Sequence, residues 1–350
     1  MSKVLMISTD REILNPASVV AKRMATYGEV TDELHIVVCN VGGKSQVIEL
    51  TDNVWVYSTN AVSRWFYPFG AYRVAQKIVK QIKPTLITCQ DPFETGLVGK
   101  WLAQKYNISL EIQIHTDITS PYFAKYSLLN QLRLLIAKSV LPQVTQIRVV
   151  SQKIKEGIIK KYNLKSDLIY ILPIAVNLNP SEEIWISPFK QTILVVARLE
   201  AEKNVSLALE SLKLLLKTEV DAGLVVVGAG RLEHELKNEA RQLGIEDRVV
   251  WAGYQADVWP FYRAAKVLLH PAFYEGYGLV LAEAALLGLP IVSTDVGVAR
   301  EVGATIISSE SEIVAQALLE ALKSPKASYL QSGLVVALDG YLATLKTKWR

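Results

Sequence analysis

Val267-Leu-Leu-His-Pro-Ala-Phe-Tyr-Glu-Gly-Tyr-Gly-Leu-Val-Leu-Ala-Glu-Ala-Ala285 reads as a strand, a polar loop and an apolar helix in immediate succession. Val267–His270 has strand composition, Glu275 falls in the loop behind it, and a helix begins near Gly278. Glu283 then sits among Leu281, Ala282, Ala284, Ala285, Leu286 and Leu287. A carboxylate in so apolar a helix is costly without a partner. The hydroxyls of a ribose would supply one, and so would a neighbouring Arg or Lys. The backbone amides around Gly276, Tyr277, Gly278 and Leu279 lie at a helix N-terminus and favour an anionic ligand.

Outward from this unit, the alternation of short strands and helices continues in both directions. Strands are expected at Thr192–Ala197, Leu224–Val227, Val249–Ala252 and Ile291–Ser293, with helices between them. Upstream, Pro173 to Lys190 is polar and rich in breakers (Asn177, Asn179, Pro180, Ser187, Pro188), as in an interdomain linker. Before it the pattern recurs, with strands at Lys3–Ser8, Leu34–Val38, Val54–Tyr57, Thr85–Thr88, Leu110–Ile114, Ile147–Val150 and Leu168–Leu172. Ala71–Ile82, Thr95–Tyr106 and Ser127–Val140 have helical spacing. Strands that alternate with helices imply right-handed crossovers and parallel sheets. The expected fold is therefore α/β: two tandem, doubly wound parallel-sheet domains facing across a cleft. Residues 1–172 form the first domain, 173–190 the linker, 191–327 the second domain, and 328–350 a closing C-terminal segment. Helices are expected at Ser311–Lys323 and Leu330–Lys346.

Composition narrows the function classes. The chain has 350 residues, 50% hydrophobic and 21% charged, enough for two cores and incompatible with intrinsic disorder. Cys39 and Cys89 are too few for a disulfide framework and read as buried thiols. Four scattered histidines and no C-x-x-C offer no metal-ligand spacing. The N-terminal residues read as a strand and not as a leader peptide, and Leu279–Val292 is interrupted by Glu283, Gly288 and Pro290. A cytoplasmic protein that at most rests on a membrane surface is expected. Residues 1–170 carry 21 Lys+Arg against 13 Asp+Glu, whereas the remaining 180 carry 17 against 21. That asymmetry fits either an anionic partner for the first half or ordinary solubilising cations.

In open parallel sheets, ligands bind beyond the carboxyl ends of strands, so polar residues directly after strands are the candidates. Arg198 and Lys203 follow the strand Thr192–Ala197 and precede a helix near Asn204, an arrangement suited to a diphosphate. Gly228 and Gly230 end the next strand, where small residues permit close backbone approach or merely a tight turn. No full G-x-G-x-x-G is present, which counts against a dehydrogenase-type dinucleotide site.

Glu275 and Glu283, eight positions apart around the Glu-Gly-Tyr-Gly-Leu loop, resemble the signature of the group 1 (family 4) retaining glycosyltransferases. Arg198 with Lys203, the Val-Gly-Ala-Gly turn, and Ser293-Thr-Asp-Val-Gly-Val-Ala-Arg-Glu301 follow that family's order. The resemblance is specific over about residues 190–305. It implies the glycosyltransferase B fold with a nucleotide-sugar donor held mostly by the second domain, no cofactor and no metal. By that resemblance Arg198 and Lys203 bind the diphosphate, Glu283 the ribose, and Glu275 the donor sugar near its reacting centre.

The first domain departs from the family pattern. Thr9-Asp-Arg-Glu-Ile-Leu-Asn-Pro-Ala-Ser18 lacks the expected glycines, and Pro173-Ile-Ala-Val-Asn177 replaces the usual Pro-Asn-Gly-Val-Asp. Two candidates remain there. His115, in Ile114-His-Thr-Asp117, matches the family's active-site histidine, and Asp91 either receives an acceptor hydroxyl or caps a helix near Pro92. The aromatic-basic stretches Arg64–Arg73 and Pro121–Tyr126 suit a membrane interface, a sugar platform or a core-facing loop. No basic helix or known module points to nucleic acid. The expected function is retaining transfer of a sugar from a nucleotide-diphospho-sugar to a hydroxyl of a glycan or lipid-linked precursor. An epimerase of the same fold and a two-domain small-molecule-binding protein are the rival readings.

Overall fold

A computed structural model describes residues 2–43, 46–175, 181–329, 334 and 336–349. The chain divides into two compact units, Met1–Pro173 with Leu338–Arg350, and Ile174–Ala337.

The first unit runs β1 (Lys3–Ser8), α1 (Val19–Tyr27), β2 (Glu33–Val38), β3 (Val47–Thr51), β4 (Val54–Ser58), α2 (Tyr67–Ile82) and β5 (Leu86–Cys89). It continues through α3 (Glu94–Tyr106), β6 (Ser109–Ile114), α4 (Pro121–Tyr126), α5 (Leu128–Val140), β7 (Gln146–Val149), α6 (Gln152–Tyr162) and β8 (Ile169–Ile171). Its sheet has the order β3-β4-β2-β1-β5-β6-β7-β8. All neighbours are parallel except β3, which is antiparallel to β4. Past their first residues Lys3 and Glu33, the central strands β1 and β2 are buried, as is all of β5, in keeping with parallel strands covered on both faces. Cys39 and Cys89 are free thiols in this core.

The second unit runs β9 (Gln191–Val196), α7 (Val205–Leu215), β10 (Ala222–Val227), α8 (Glu233–Leu243), β11 (Val249–Gly253) and α9 (Trp259–Ala264). Then come β12 (Val267–His270), α10 (Leu279–Leu286), β13 (Ile291–Thr294), β14 (Thr305–Ile307) and α11 (Ser311–Lys323). Its six strands are all parallel in the order β11-β10-β9-β12-β13-β14. The apolar faces of α7 and α11 close over the inner strands.

Several expected boundaries move. The edge strands β3 and β14 are additional to the sequence reading. The last helix, α12, spans Leu338–Lys348 and not 330–346, because Val336 is extended and forms a bridge with Ala175. Residues 330–333, and 176–180 of the expected linker, lie outside the described residues. Helix α12 packs in the first unit, where Tyr341 stacks on Tyr27 at 5.8 Å and Trp349 is 1% exposed.

Candidate active site

Strand order in the second unit reverses between β9 and β12, and the loops that follow these two strands therefore meet. The first loop carries Arg198 and Lys203, the second Glu275. Phe273 N–H donates to the Glu202 carbonyl at 2.9 Å and ties them together. The Lys203 ammonium forms an ion pair with Glu275 across 72 residues of sequence, both side chains being mostly covered. His270, buried at the end of β12, places Nε2 3.7 Å from the same Glu275 oxygen. That separation is too long for a hydrogen bond, and Nε2 has no partner among the described residues. Burial pushes the His270 pKa down to about 4, with Glu275 opposing and Lys203 assisting, so the ring is neutral at pH 7. Arg198 differs from Lys203: its side chain is 72% exposed and pairs with Glu202 at 3.2 Å.

Glu275 leads into the N-terminus of α10. Gly278 is the cap residue at φ +81°, a left-handed conformation that glycine adopts without Cβ strain. The Tyr277 side chain turns inward, buried, and its hydroxyl donates to the Leu334 carbonyl at 2.6 Å. Its backbone carbonyl accepts the Val298 N–H at 2.9 Å. Gly228 and Gly230 press on the loop after β9: an added Cβ would lie 1.9 Å from the Ala197 carbonyl oxygen and 2.4 Å from that of Leu199. Their steric need is therefore explained by packing against the segment that carries Arg198. The helix expected near Asn204 begins at Val205, and the helix that follows Gly230 begins at Glu233.

Glu283 is half-buried in α10, and its carboxylate accepts from the Tyr262 hydroxyl of α9 at 2.8 Å. Burial raises its pKa, and the Tyr262 bond opposes the shift. A phenol, and not an Arg or Lys, is thus its partner among the described residues.

In the first unit, Asp91 follows β5. Its Oδ1 accepts the backbone N–H of Phe93 at 2.8 Å and of Thr95 at 3.3 Å. These bonds close the turn ahead of α3, which starts at Glu94 with Phe93 as its N-cap residue and no side-chain cap. Burial and then the neighbouring Glu94 raise its carboxyl to about 6. The glycine-free loop after β1 is held by its own polar groups: Asp10 and Ser18 each accept from the backbone two or three residues on, and Arg11 donates to the Tyr67 hydroxyl at 2.7 Å. His115 is exposed just past β6, its Nε2 3.1 Å from Gln113 Oε1.

His270, Tyr262 and Gln113 escaped the reading of the sequence. A period-2 scan of β6, Ser-Leu-Glu-Ile-Gln-Ile, would have exposed Glu111 and Gln113 as a polar row inside a strand whose other face is apolar. Among the described residues, no three His, Cys, Asp or Glu side chains lie close enough together to hold a metal ion. No helix of the described residues is long and apolar enough to cross a membrane.

Comparison with known proteins adds the following. Residues 182–327 match the family described as glycosyl transferases group 1, and residues 20–180 match glycosyltransferase family 4. The chain is 25% identical over 246 residues to the alpha-monoglucosyldiacylglycerol synthase of Streptococcus pneumoniae, covering 65% of this chain and 55% of that one. It is 29% identical over 152 residues to the lipopolysaccharide core biosynthesis mannosyltransferase LpsB of Rhizobium meliloti, covering 42% and 43%. The chain thus spans about half the length of these curated relatives. Among solved structures, HepE of Anabaena in complex with UDP-glucose superposes with a TM-score of 0.71 at 16% identity, covering 100% of this chain and 98% of that one.

Proposed function

Because the chain belongs to the group 1, family 4 type glycosyltransferases of the glycosyltransferase B fold, we propose that it transfers a sugar, with retention, from a nucleotide-diphospho-sugar to a hydroxyl of a glycan or lipid-linked acceptor. The observation that carries this reading is the meeting of Lys203, Glu275 and the N-terminus of α10 at the switch point of the second sheet. A diphosphate is the ligand such a place suits, since a mostly covered ammonium and helix amides both favour anionic oxygens. In this reading the bond from the anomeric carbon to the diphosphate oxygen breaks while the acceptor oxygen attacks the same face. The acceptor's proton passes to the departing phosphate. Such a route demands charge stabilisation at the diphosphate more than a strong protein base. Lys203 and Arg198 meet that charge, Glu283 holds the ribose diol, and Glu275 and His115 contact the sugar. Asp91, whose Oδ1 accepts the Phe93 and Thr95 backbone N–H groups, serves the acceptor.

UDP is the nucleotide favoured, because HepE is described with UDP-glucose. A thermal-shift panel of UDP, GDP, ADP and their sugars tests the reading. Stabilisation by one nucleoside diphosphate and its sugar is expected, and a flat response across the panel would sink it. Turnover of the selected donor is expected to persist in excess EDTA, since no group of three ligating side chains is assembled among the described residues. Loss on chelation with recovery on added magnesium would contradict this.

The first unit also offers a lipid-facing surface on a cytoplasmic enzyme. Leu128, Leu132 and Leu135 share one exposed face of α5, and Trp65, Phe66 and Phe69 stand exposed at the start of α2. Phe69 lies 6.4 Å from Trp101 of α3, and Arg64, Lys125 and Lys138 neighbour these apolar residues along the chain. Exposed apolar side chains with nearby cations match an anionic bilayer surface. The names of the two curated relatives, one a diacylglycerol and one a lipopolysaccharide enzyme, fit an acceptor presented there. Leu128→Asp with Leu135→Asp is expected to weaken sedimentation with phosphatidylglycerol vesicles by about tenfold or more. Equal sedimentation of the variant would dismiss this surface.

A further inference from the structure

Beneath His115 lies a buried polar row. The register of the first sheet sets Thr88 beside Glu111, Glu111 beside Gln146, Gln113 beside Arg148, and Arg148 beside Tyr170. Glu111, Gln113 and His115 are two residues apart, so they follow one another along the same face. The donor and acceptor chemistry of this row leaves little freedom. Arg148 is 3% exposed and can only donate, so the Gln113 atom that receives its Nη2 must be the amide oxygen. The Gln113 nitrogen then donates to Thr88 Oγ1 at 2.8 Å, and the Thr88 hydroxyl donates onward to Glu111 at 2.7 Å. Glu111 is fully buried and receives three further donors: Trp349 Nε1 at 3.1 Å, Gln146 Nε2 at 2.9 Å and the Tyr170 hydroxyl at 2.7 Å. Four donors converge on this one carboxylate, and the hydrogen bonds of the row run towards it.

The other end of this chain is the histidine. The same Gln113 oxygen that Arg148 fixes lies 3.1 Å from His115 Nε2. An oxygen that can only accept there requires a proton on Nε2. We propose that Arg148, acting through Gln113, is a positioning residue that fixes His115 as the neutral Nε2–H tautomer, with Nδ1 open as a hydrogen-bond acceptor. Burial, then Arg148 on β7 and Arg23 on α1, push the His115 pKa down; the exposure of the side chain weakens the first of these, and the two cations keep the direction. A neutral Nδ1 binds a sugar hydroxyl as an acceptor and does not stabilise a developing anion. This consequence for the reaction rests on the proposed function, whereas the tautomer does not. Through Trp349, the chain also ties the ring to α12, which comes from the far end of the sequence.

The test is a long-range ¹⁵N–¹H correlation spectrum of the full chain between pH 5 and 8.5. His115 is expected to show the Nε2–H pattern throughout, with no titration near the ordinary imidazole value. An Nδ1–H pattern, or ordinary titration, in the unmodified protein would overturn the proposal without any variant. Gln113→Glu keeps an acceptor facing both Arg148 and His115 but adds a negative charge. It is expected to raise the His115 midpoint by up to about 3 pH units, which brings the titration into the measured range. Turnover of the best UDP-sugar from the donor panel should follow with a shifted acid limb, which a purely structural residue would not move. If the Gln113→Glu midpoint stays in place, the proposal fails. If His115→Ala keeps full turnover while the tautomer pattern is as expected, the sugar-contact reading of His115 fails and the positioning chain stands.

Discussion

Glu275→Gln is expected to lower kcat by about 10²-fold, while affinity for bare UDP stays level or improves a few-fold. The carboxylate sits one loop ahead of α10, paired with Lys203. An arriving diphosphate competes for the same ammonium, so removal of the Glu275 charge frees Lys203 and relieves repulsion of the anion. In the transition state, positive charge gathers on the sugar ring, and an isosteric amide cannot offset it. Steady-state kinetics with calorimetry on UDP separates the two effects, and a variant with normal kcat would remove Glu275 from the reaction. Glu283→Gln is the counterpart. It keeps an oxygen for the Tyr262 hydroxyl but loses the charge offered to a diol, so the UDP dissociation constant should rise by about tenfold with the fold intact.

Lys203→Ala should weaken UDP binding by about 10- to 150-fold, the range for a lost charge-assisted contact of about 1.5–3 kcal/mol. Two changes act in one direction here: an ammonium is lost and Glu275 is left unpaired beside the anion. Arg198→Ala should cost less, because that guanidinium is mostly exposed and already shared with Glu202. Calorimetry on folded variants decides the order. If Arg198→Ala proved the more damaging, or Lys203→Ala bound UDP normally, the switch-point assignment would be wrong.

The stretches legible in the sequence are those where local pattern and tertiary burial agree. β1, β2, β5, β9, β10 and β12 are apolar runs between turns, and each is a buried inner strand. β3 escaped because Val47-Ile-Glu-Leu-Thr51 is an edge strand with no buried residue, and its apolar face is only Ile48 and Leu50. β14, three residues long, is too short to show a period. Arg198, Lys203, Glu275 and Glu283 stood out because their charges follow strands or interrupt an apolar helix. Glu111 and Arg148 did not, since one charged residue inside a strand ordinarily marks a solvent face.

The sequence by itself determined two α/β units and the positions of Arg198, Lys203, Glu275, Asp91 and His115 after strands and of Glu283 inside an apolar helix, which follow from periodicity, a local quantity. The resemblance to a glycosyltransferase family rests on the motifs around Glu275 and Glu283. Only the tertiary structure decided which loops meet, because strand order is a matter of sheet pairing: β9 beside β12 joins Lys203 to Glu275 across 72 residues. It alone placed α12 in the first unit, where the Trp349 indole donates to a carboxylate 238 positions earlier. And it alone set the proton on His115, since that proton is dictated by the donors and acceptors of neighbouring strands, which no stretch of one strand contains.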